Sequence, residues 1–431
     1  MFKRKKSPDS KVARPKYGNS NYSPTGRLQN TFATRRHKPD YFIFVISLIL
    51  CAIGLVVVYS ISPGLAATNN VSGGHFVSRQ MIAIGLGLVA FAVCSFIPVS
   101  FWRNWRNVLA GLTLLAIVAV QLFGDEVNGA TRWIQLGGLS FQVAELIKLA
   151  LIVWLAAFLV DKMKNQEITN QTKTLRVLIV ILAVLGLSVA VMQSDLGSMG
   201  VMFAILGLMA FTAGIPMKPI FLILAIVAVG TFAAIASSEY RRERVATFLN
   251  PAADCQDSGY QACQAQIAIG SGGLFGLGIG NGVQAYGYLP EAANDSIFAI
   301  LAEKFGFLGI SVVIGIYIAL FSRLKKIIER TADPFSQLFV VGVLAWLSTQ
   351  AIINIGAMVG LLPLKGITLP FISFGGTSIL FAMAALGVVF QISRYTSFEP
   401  IRNLRTEVKN DHSANGRGVR RPYYAAAGRR A

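Results

Sequence analysis

Apolar stretches of about 18 to 25 residues recur along the chain, separated by short polar breaks. Each is long enough to cross a hydrocarbon core of about 30 Å as an α-helix. Ten spans are expected, near 41–62, 79–98, 107–124, 141–161, 175–192, 196–214, 217–236, 296–321, 335–358 and 372–393. Barrel strands would be about 10 residues long and alternating, and these runs do not alternate. The pattern predicts an all-α polytopic membrane protein. One polar break, 237–295, is far longer than the others and forms a large extracytoplasmic loop between the seventh and eighth spans. Only Gln193-Ser194-Asp195 divides the fifth span from the sixth, and read as one broken helix they would leave nine.

Composition agrees. The chain is 54% hydrophobic and 14% charged, against about a quarter charged in soluble domains. Its net charge of +19 is gathered in a head (1–39) and a tail (396–431) flanking a membrane domain (40–395). Both ends are poor in aliphatic residues and are expected to be disordered. Basic segments beside spans mark the cytoplasmic side and suit contact with anionic lipid. No aromatic-interleaved basic domain supports a nucleic-acid partner. The first apolar run starts near Tyr41, after a long polar head, and is too long for a signal-peptide core. It is expected to act as a signal anchor.

An even number of spans puts both termini in the cytoplasm. Loop 161–176, with Lys162, Lys164, Lys173 and Arg176, and loop 322–334, with Arg323, Lys325, Lys326 and Arg330, are assigned inside. Loop 63–78 has no Lys or Arg and is assigned outside.

Candidate chemistry collects in the long outer stretch. Asp295 directly precedes the eighth span. It is either a helix N-cap or a general base at the membrane surface. Arg241, Arg242 and Arg244 are either snorkelling side chains or a clamp for phosphate or pyrophosphate. Cys255 and Cys263 are the cysteines outside apolar runs; Cys51 and Cys94 sit in spans and suit packing. The outer pair is either a disulfide stiffening the loop or two free thiols. The run Gly270–Gly282 fits neither the dinucleotide nor the P-loop spacing. Its glycines allow close backbone approach and unusual φ/ψ, which suits a re-entrant segment or one lying against a lipid substrate; the alternative is a flexible loop. Glu145 and Lys148 lie at i, i+3 in the fourth span, where they form a structural pair or a proton path. The Gly/Pro-broken stretch 360–376 is a second wall for the site.

Four stretches, in order, resemble the SEDS family (shape, elongation, division and sporulation). They are Gly129–Gly137 with Phe141–Lys148; Gln193-Ser-Asp195-Leu-Gly197; Gly259-Tyr-Gln261 through Leu289-Pro290-Glu291 and Asn294-Asp295 to Gly306; and Gly360–Gly376. The resemblance covers about residues 40 to 395 and implies a ten-span peptidoglycan glycosyltransferase. Such an enzyme polymerises lipid II on the outer face of the cytoplasmic membrane. It works with a class B penicillin-binding protein, a transpeptidase, among other division proteins. The family's essential aspartate maps to Asp295, and its structural Glu–Lys pair to Glu145 and Lys148.

The resemblance makes Arg241, Arg242, Arg244, Lys365, Gln261 and Glu291 candidate contacts to pyrophosphate or glycan. A divalent cation, Mg or Mn, could share that work, although no ligand cluster in the sequence predicts one. This chain departs from the family pattern at Ala293-Asn294, where His-Thr is usual, and at Ser296, which replaces an aromatic residue. Glu303-Lys304 replaces Glu-Glu, Val143-Ala144 replaces Pro-Ser, and Lys365 replaces a common Thr. The long basic head and tail are closer to the division branch than to the elongation branch. The rival classes are a lipid II transporter using Glu145, Lys148 and Asp195, and a non-catalytic division scaffold.

Overall fold

The computed structural model describes residues 37–127, 130–136, 139–168, 174–185, 189, 195–216, 218, 242, 248, 255–257, 259–364 and 366–396. Among them, seven helices are long and apolar enough to cross a membrane. They are α1 (Tyr41–Thr68), α2 (His75–Phe96), α4 (Arg106–Phe123), α5 (Val143–Lys164), α9 (Ile297–Arg330), α10 (Pro334–Met358) and α11 (Gly376–Ser393). Shorter helices are α3 (Val99–Asn104), α6 (Arg176–Leu185), α7 (Leu196–Thr212) and α8 (Tyr260–Gly272). The protein is a multi-pass membrane protein. The expected seventh span, 217–236, lies outside the described residues apart from Lys218, and part of the fifth does too.

Side-chain caps set several helix starts. Asp40 Oδ1 accepts the Phe42 N–H at 3.1 Å. Asp333 caps α10 through the Ser336 N–H at 2.9 Å, with Pro334 in the first turn, where its missing N–H costs nothing. Asp195, which the transporter reading needed as a working carboxylate, is the N-cap of α7 and accepts from the Ser198 N–H and hydroxyl at 2.9 and 2.7 Å.

Two features depart from the expected pattern. First, 125–142 is a small antiparallel meander: β1 (Asp125–Val127), β2 (Ala130–Leu136) and β3 (Leu139–Gln142), in the order β1-β2-β3. The register pairs Leu136 with Leu139 and Trp133 with Gln142. The fourth span therefore starts at Val143. Second, α9 is longer than the expected 296–321 and carries Arg323, Lys325, Lys326 and Arg330 on its last turns rather than in a loop. It is broken at Gly306, whose φ of 65° is the left-handed region that favours glycine.

The break is where the glycine run packs. Leu277 and Gly278 donate N–H bonds to the Glu303 and Lys304 carbonyls at 2.9 and 3.0 Å. Phe307 and Leu308 donate back to Gly273 and Leu274 at 2.9 and 3.1 Å. A Cβ on Gly276 (φ 82°) would collide with the Lys304 carbonyl, and one on Gly272 with the Ala302 carbonyl. The run is thus held backbone to backbone against α9.

The entry to α1 and the exit from α11 meet. His37 N–H donates to the Arg394 carbonyl at 2.9 Å, and Asp40 N–H to Ser393 Oγ at 3.0 Å.

α5, α10 and α11 are largely buried, whereas α2 and α4 present bare apolar faces. In the interior Lys148 Nζ lies 2.7 Å from Glu145 Oε1, and both residues are buried. Nζ also donates to Gln350 Oε1 at 2.9 Å and lies 5.2 Å from the centre of the Trp346 ring. A buried ion pair compensates its own desolvation only when so surrounded, and removing one partner strands the other.

Lys148→Met is expected to cost about 3–5 kcal/mol, read as a lower melting temperature in detergent. Adding Glu145→Leu should recover most of that loss. Gly276→Ala should lower the melting temperature sharply because of its φ and the Lys304 carbonyl. Gly315→Ala, with no atom within 4 Å of the added methyl, should leave it nearly unchanged.

Candidate active site

Asp295 stands one residue outside α9. The N-cap position belongs to Ser296. Ser296 is itself buried and does not cap; its hydroxyl donates to the Pro290 carbonyl at 2.9 Å. The turn before it closes through Asn294 and Ser296 N–H bonds to the Glu291 carbonyl at 2.9 and 3.1 Å. Glu291 takes a φ of 51°, unusual for a side chain this long. Asp295 is half-buried, with buried neighbours on either side at Ala292, Ala293 and Ser296.

Three successive carbonyls of this turn are held from outside it. Phe374 N–H donates to Ala293 O at 2.8 Å, Ser373 Oγ to Asn294 O at 2.5 Å, and Asn354 Nδ2 to Asp295 O at 2.7 Å. Ser373 and Phe374 belong to the stretch 360–376, which thus forms the second wall expected of it. Asn354, on α10, also donates from the same nitrogen to Ile367 O at 2.7 Å. One helical turn earlier, Gln350 Nε2 donates to Thr368 O at 3.0 Å, while its Oε1 accepts from Lys148 and Trp346. The buried ion pair and the Asp295 turn are therefore braced by one face of one helix, at positions four residues apart.

From Gly366 to Phe374 the chain is neither helix nor strand, and several of its backbone groups find partners within the protein. Ser373 Oγ accepts the Leu369 N–H at 2.7 Å, the Tyr317 hydroxyl donates to Pro370 O, and Gln80 Nε2 donates to Ser373 O at 3.4 Å. Backbone from Ile372 lies where a Cβ on Gly54, at the middle of α1, would be. Away from water such irregular backbone is tolerated only when its polar groups find protein partners.

The other expected site residues fall as follows. Gln261, in the first turn of α8, donates from Nε2 to Ser296 Oγ at 3.1 Å. Glu291 Oε2 accepts from Asn294 Nδ2 at 2.5 Å. Cys255 and Cys263 are joined in a disulfide, with Cα atoms 5.7 Å apart. Arg242 is helical and exposed. Arg241, Arg244 and Lys365 lie outside the described residues. Glu303, buried, has Oε1 taken by the Val283 and Gln284 N–H groups at 3.0 and 3.1 Å, which ties the return of the glycine loop to α9.

Among the described residues no group of three His, Cys, Asp or Glu side chains comes together to hold a metal ion. Magnesium and manganese ask for several oxygen ligands, and the described carboxylates do not supply that set around Asp295. The sequence reading passed over Asn354, Gln350 and Ser373. Two amides four residues apart inside an apolar span are the signal that marks the first two.

A family model described as "Cell cycle protein", covering FtsW, RodA and SpoVE, matches residues 40–398. A Coxiella burnetii protein named probable peptidoglycan glycosyltransferase FtsW is 37% identical over 83% of this chain and 96% of its own length. A Saccharophagus degradans protein of the same name is 38% identical over 82% and 92%. Stage V sporulation protein E of Bacillus subtilis is 35% identical over 85% of this chain and 100% of its own. Among solved structures, a peptidoglycan synthase complex that coordinates polymerization and crosslinking contains a chain superposing with a TM-score of 0.66 at 26% identity, over 83% of this chain and 99% of that one. A mutant of the rod shape determining protein RodA from Thermus thermophilus superposes with a TM-score of 0.61 at 26% identity, over 84% and 99%. A match across the whole membrane domain, with relatives and structures agreeing over most of both lengths, places this chain in the FtsW/RodA/SpoVE family of cell cycle proteins.

Proposed function

We propose that this chain is a peptidoglycan glycosyltransferase that polymerises lipid II on the outer face of the cytoplasmic membrane, with Asp295 as its general base. The names of its relatives support the activity. The observation that carries the assignment of the base is the threefold clamp on the Ala293–Asp295 carbonyls. It fixes the backbone of a half-buried carboxylate at a helix start, between two walls of non-helical chain. Positional precision of this kind is what a base needs to meet one proton.

In the reaction the acceptor sugar's 4-hydroxyl attacks the donor's anomeric carbon. Asp295 takes the hydroxyl proton as the new bond forms. The donor is an α-linked pyrophosphate and the product is β-linked, so a single displacement inverts the centre. Pyrophosphate leaves without protonation when its charge is stabilised, so the second carboxylate of a glycosidase pair is not needed. Arg242, with Arg241, Arg244 and Lys365, is the candidate source of that stabilisation. The groups on which a transporter would depend are otherwise engaged: Glu145 and Lys148 pair with each other, and Asp195 caps α7.

The chain crosses ten times: seven long helices, α7 and the two incompletely described spans. Both termini are cytoplasmic. The Asp295 turn, at the opposite end of α9 from the Arg323–Asp40 contact (4.0 Å), faces outward. Likeness to a complex that couples polymerization to crosslinking supports a transpeptidase partner of the class B penicillin-binding type.

Asp295→Ala is expected to abolish glycan-strand synthesis from purified lipid II while leaving the melting temperature close to that of the parent. Polymer from the variant would reject the base. In spheroplasts, a cysteine at exposed Ser72 should react with a membrane-impermeant maleimide, and one at exposed Ala332 only after permeabilisation. The reverse pattern would invert the topology.

A further inference from the structure

α8 is a short helix with weak credentials of its own. It has 13 residues, ends in Gly270-Ser271-Gly272, and starts at Gly259 with no side-chain cap. Helices of that length and composition are marginal alone. Its far end is packed, since Gly272 lies against the Ala302 carbonyl of α9. Its near end is held differently. Cys263, in the first turn and buried, is bonded to Cys255, and Tyr260 N–H closes the adjoining turn on the Asp257 carbonyl at 3.1 Å. A covalent link stands where a cap would otherwise be.

Gln261 lies inside that pinned turn. Its amide donates to Ser296 Oγ at 3.1 Å, and the same hydroxyl donates to the Pro290 carbonyl at 2.9 Å. Ser296 and Pro290 bracket the turn that carries Asp295. Asn354, Ser373 and Phe374 hold this turn from one side, and Gln261 holds it from another. Ser296 is what gives Gln261 an oxygen to bind.

We propose that Gln261 is a positioning residue for Asp295, seated by the Cys255–Cys263 disulfide, so that reduction of that disulfide slows the reaction through Gln261. In the redox step a dithiol such as dithiothreitol delivers two electrons and two protons to the sulfur pair. The S–S bond breaks, two thiols form, and the dithiol closes to its own disulfide. The freed first turn of α8 then frays, and the Gln261–Ser296 bond is lost with it. The inference rests on the glycosyltransferase reading for its kinetic readout alone.

The test uses the full chain in detergent with lipid II and its cognate class B penicillin-binding protein. Wild type, Gln261→Ala, Cys255→Ser/Cys263→Ser and the triple variant are compared with and without dithiothreitol. Loss of one ordinary hydrogen bond to a positioned group predicts a fall in kcat of about threefold to tenfold for Gln261→Ala, with KM for lipid II little changed. Reduced wild type and the double cysteine variant should show the same fall. Gln261→Ala and the triple variant should be insensitive to reductant, because both changes act through one bond.

Hydrogen exchange supplies a readout that needs no turnover. Amides of 291–296 should exchange faster, and to the same extent, in reduced wild type and in Gln261→Ala. A raised KM at unchanged kcat would make Gln261 a substrate contact and overturn the proposal. So would additive losses from reduction and Gln261→Ala, or exchange unaltered by reduction. Wild type that makes no polymer would count against the glycosyltransferase reading, and the exchange result would still decide this one.

Discussion

Backbone polar groups must be paired wherever water cannot reach them, and the site of this protein is built on backbone that no helix pairs. The turn 289–296 and the wall 366–375 leave the helical ladder around Asp295. Carbonyls in both segments are then bound by side chains of Asn354, Gln350, Ser373, Tyr317 and Gln80. Those donors come from α2, α9, α10 and the wall itself. The irregular segment thereby becomes rigid without becoming regular, and a carboxylate can be presented from it with a fixed aim.

The same economy explains the buried charges. Glu145 and Lys148 do not stand alone in the bundle, because Gln350 accepts from Lys148 with one end of its amide and holds Thr368 with the other. Glu303 spends one oxygen on two N–H groups of the returning glycine loop. In each case a costly buried charge organises non-helical chain, which fits its retention at a site more than a role in carrying protons or ions. The glycine run, packed backbone to backbone against the break in α9, removes the side chains that would keep these segments apart.

Much of this was legible from the apolar pattern. The long helices lie where uninterrupted runs of helix length lie, and α5 starts within two residues of its expected position. The meander at 125–142 was not legible, because its strands are short and do not alternate cleanly, and the apolar run from Phe141 reads equally well as helix. The break at Gly306 was hidden for the opposite reason: apolar residues continue on both sides, and the interruption is imposed by the glycine loop packing from 26 to 34 residues earlier in the chain. Asp295 was visible as a polar residue before a span, but spacing alone could not tell a base from a cap. The fold places the N-cap position of α9 on Ser296, one residue further on. Asn354 was missed because an amide in an apolar run does not show its partners; its carbonyls belong to residues 59 positions before it and 13 after it.

Asn354 also has an evolutionary consequence. One nitrogen with two hydrogens serves two carbonyls, Asp295 O and Ile367 O, from a side chain short enough to fit a fully packed position. Aspartate keeps the shape and loses both donors. Leucine keeps the volume and loses the polarity, and serine or threonine offers one hydrogen for two acceptors. No single replacement preserves length, volume and donor count together. The position is therefore a bottleneck in sequence space, where drift can proceed around the residue far more easily than through it.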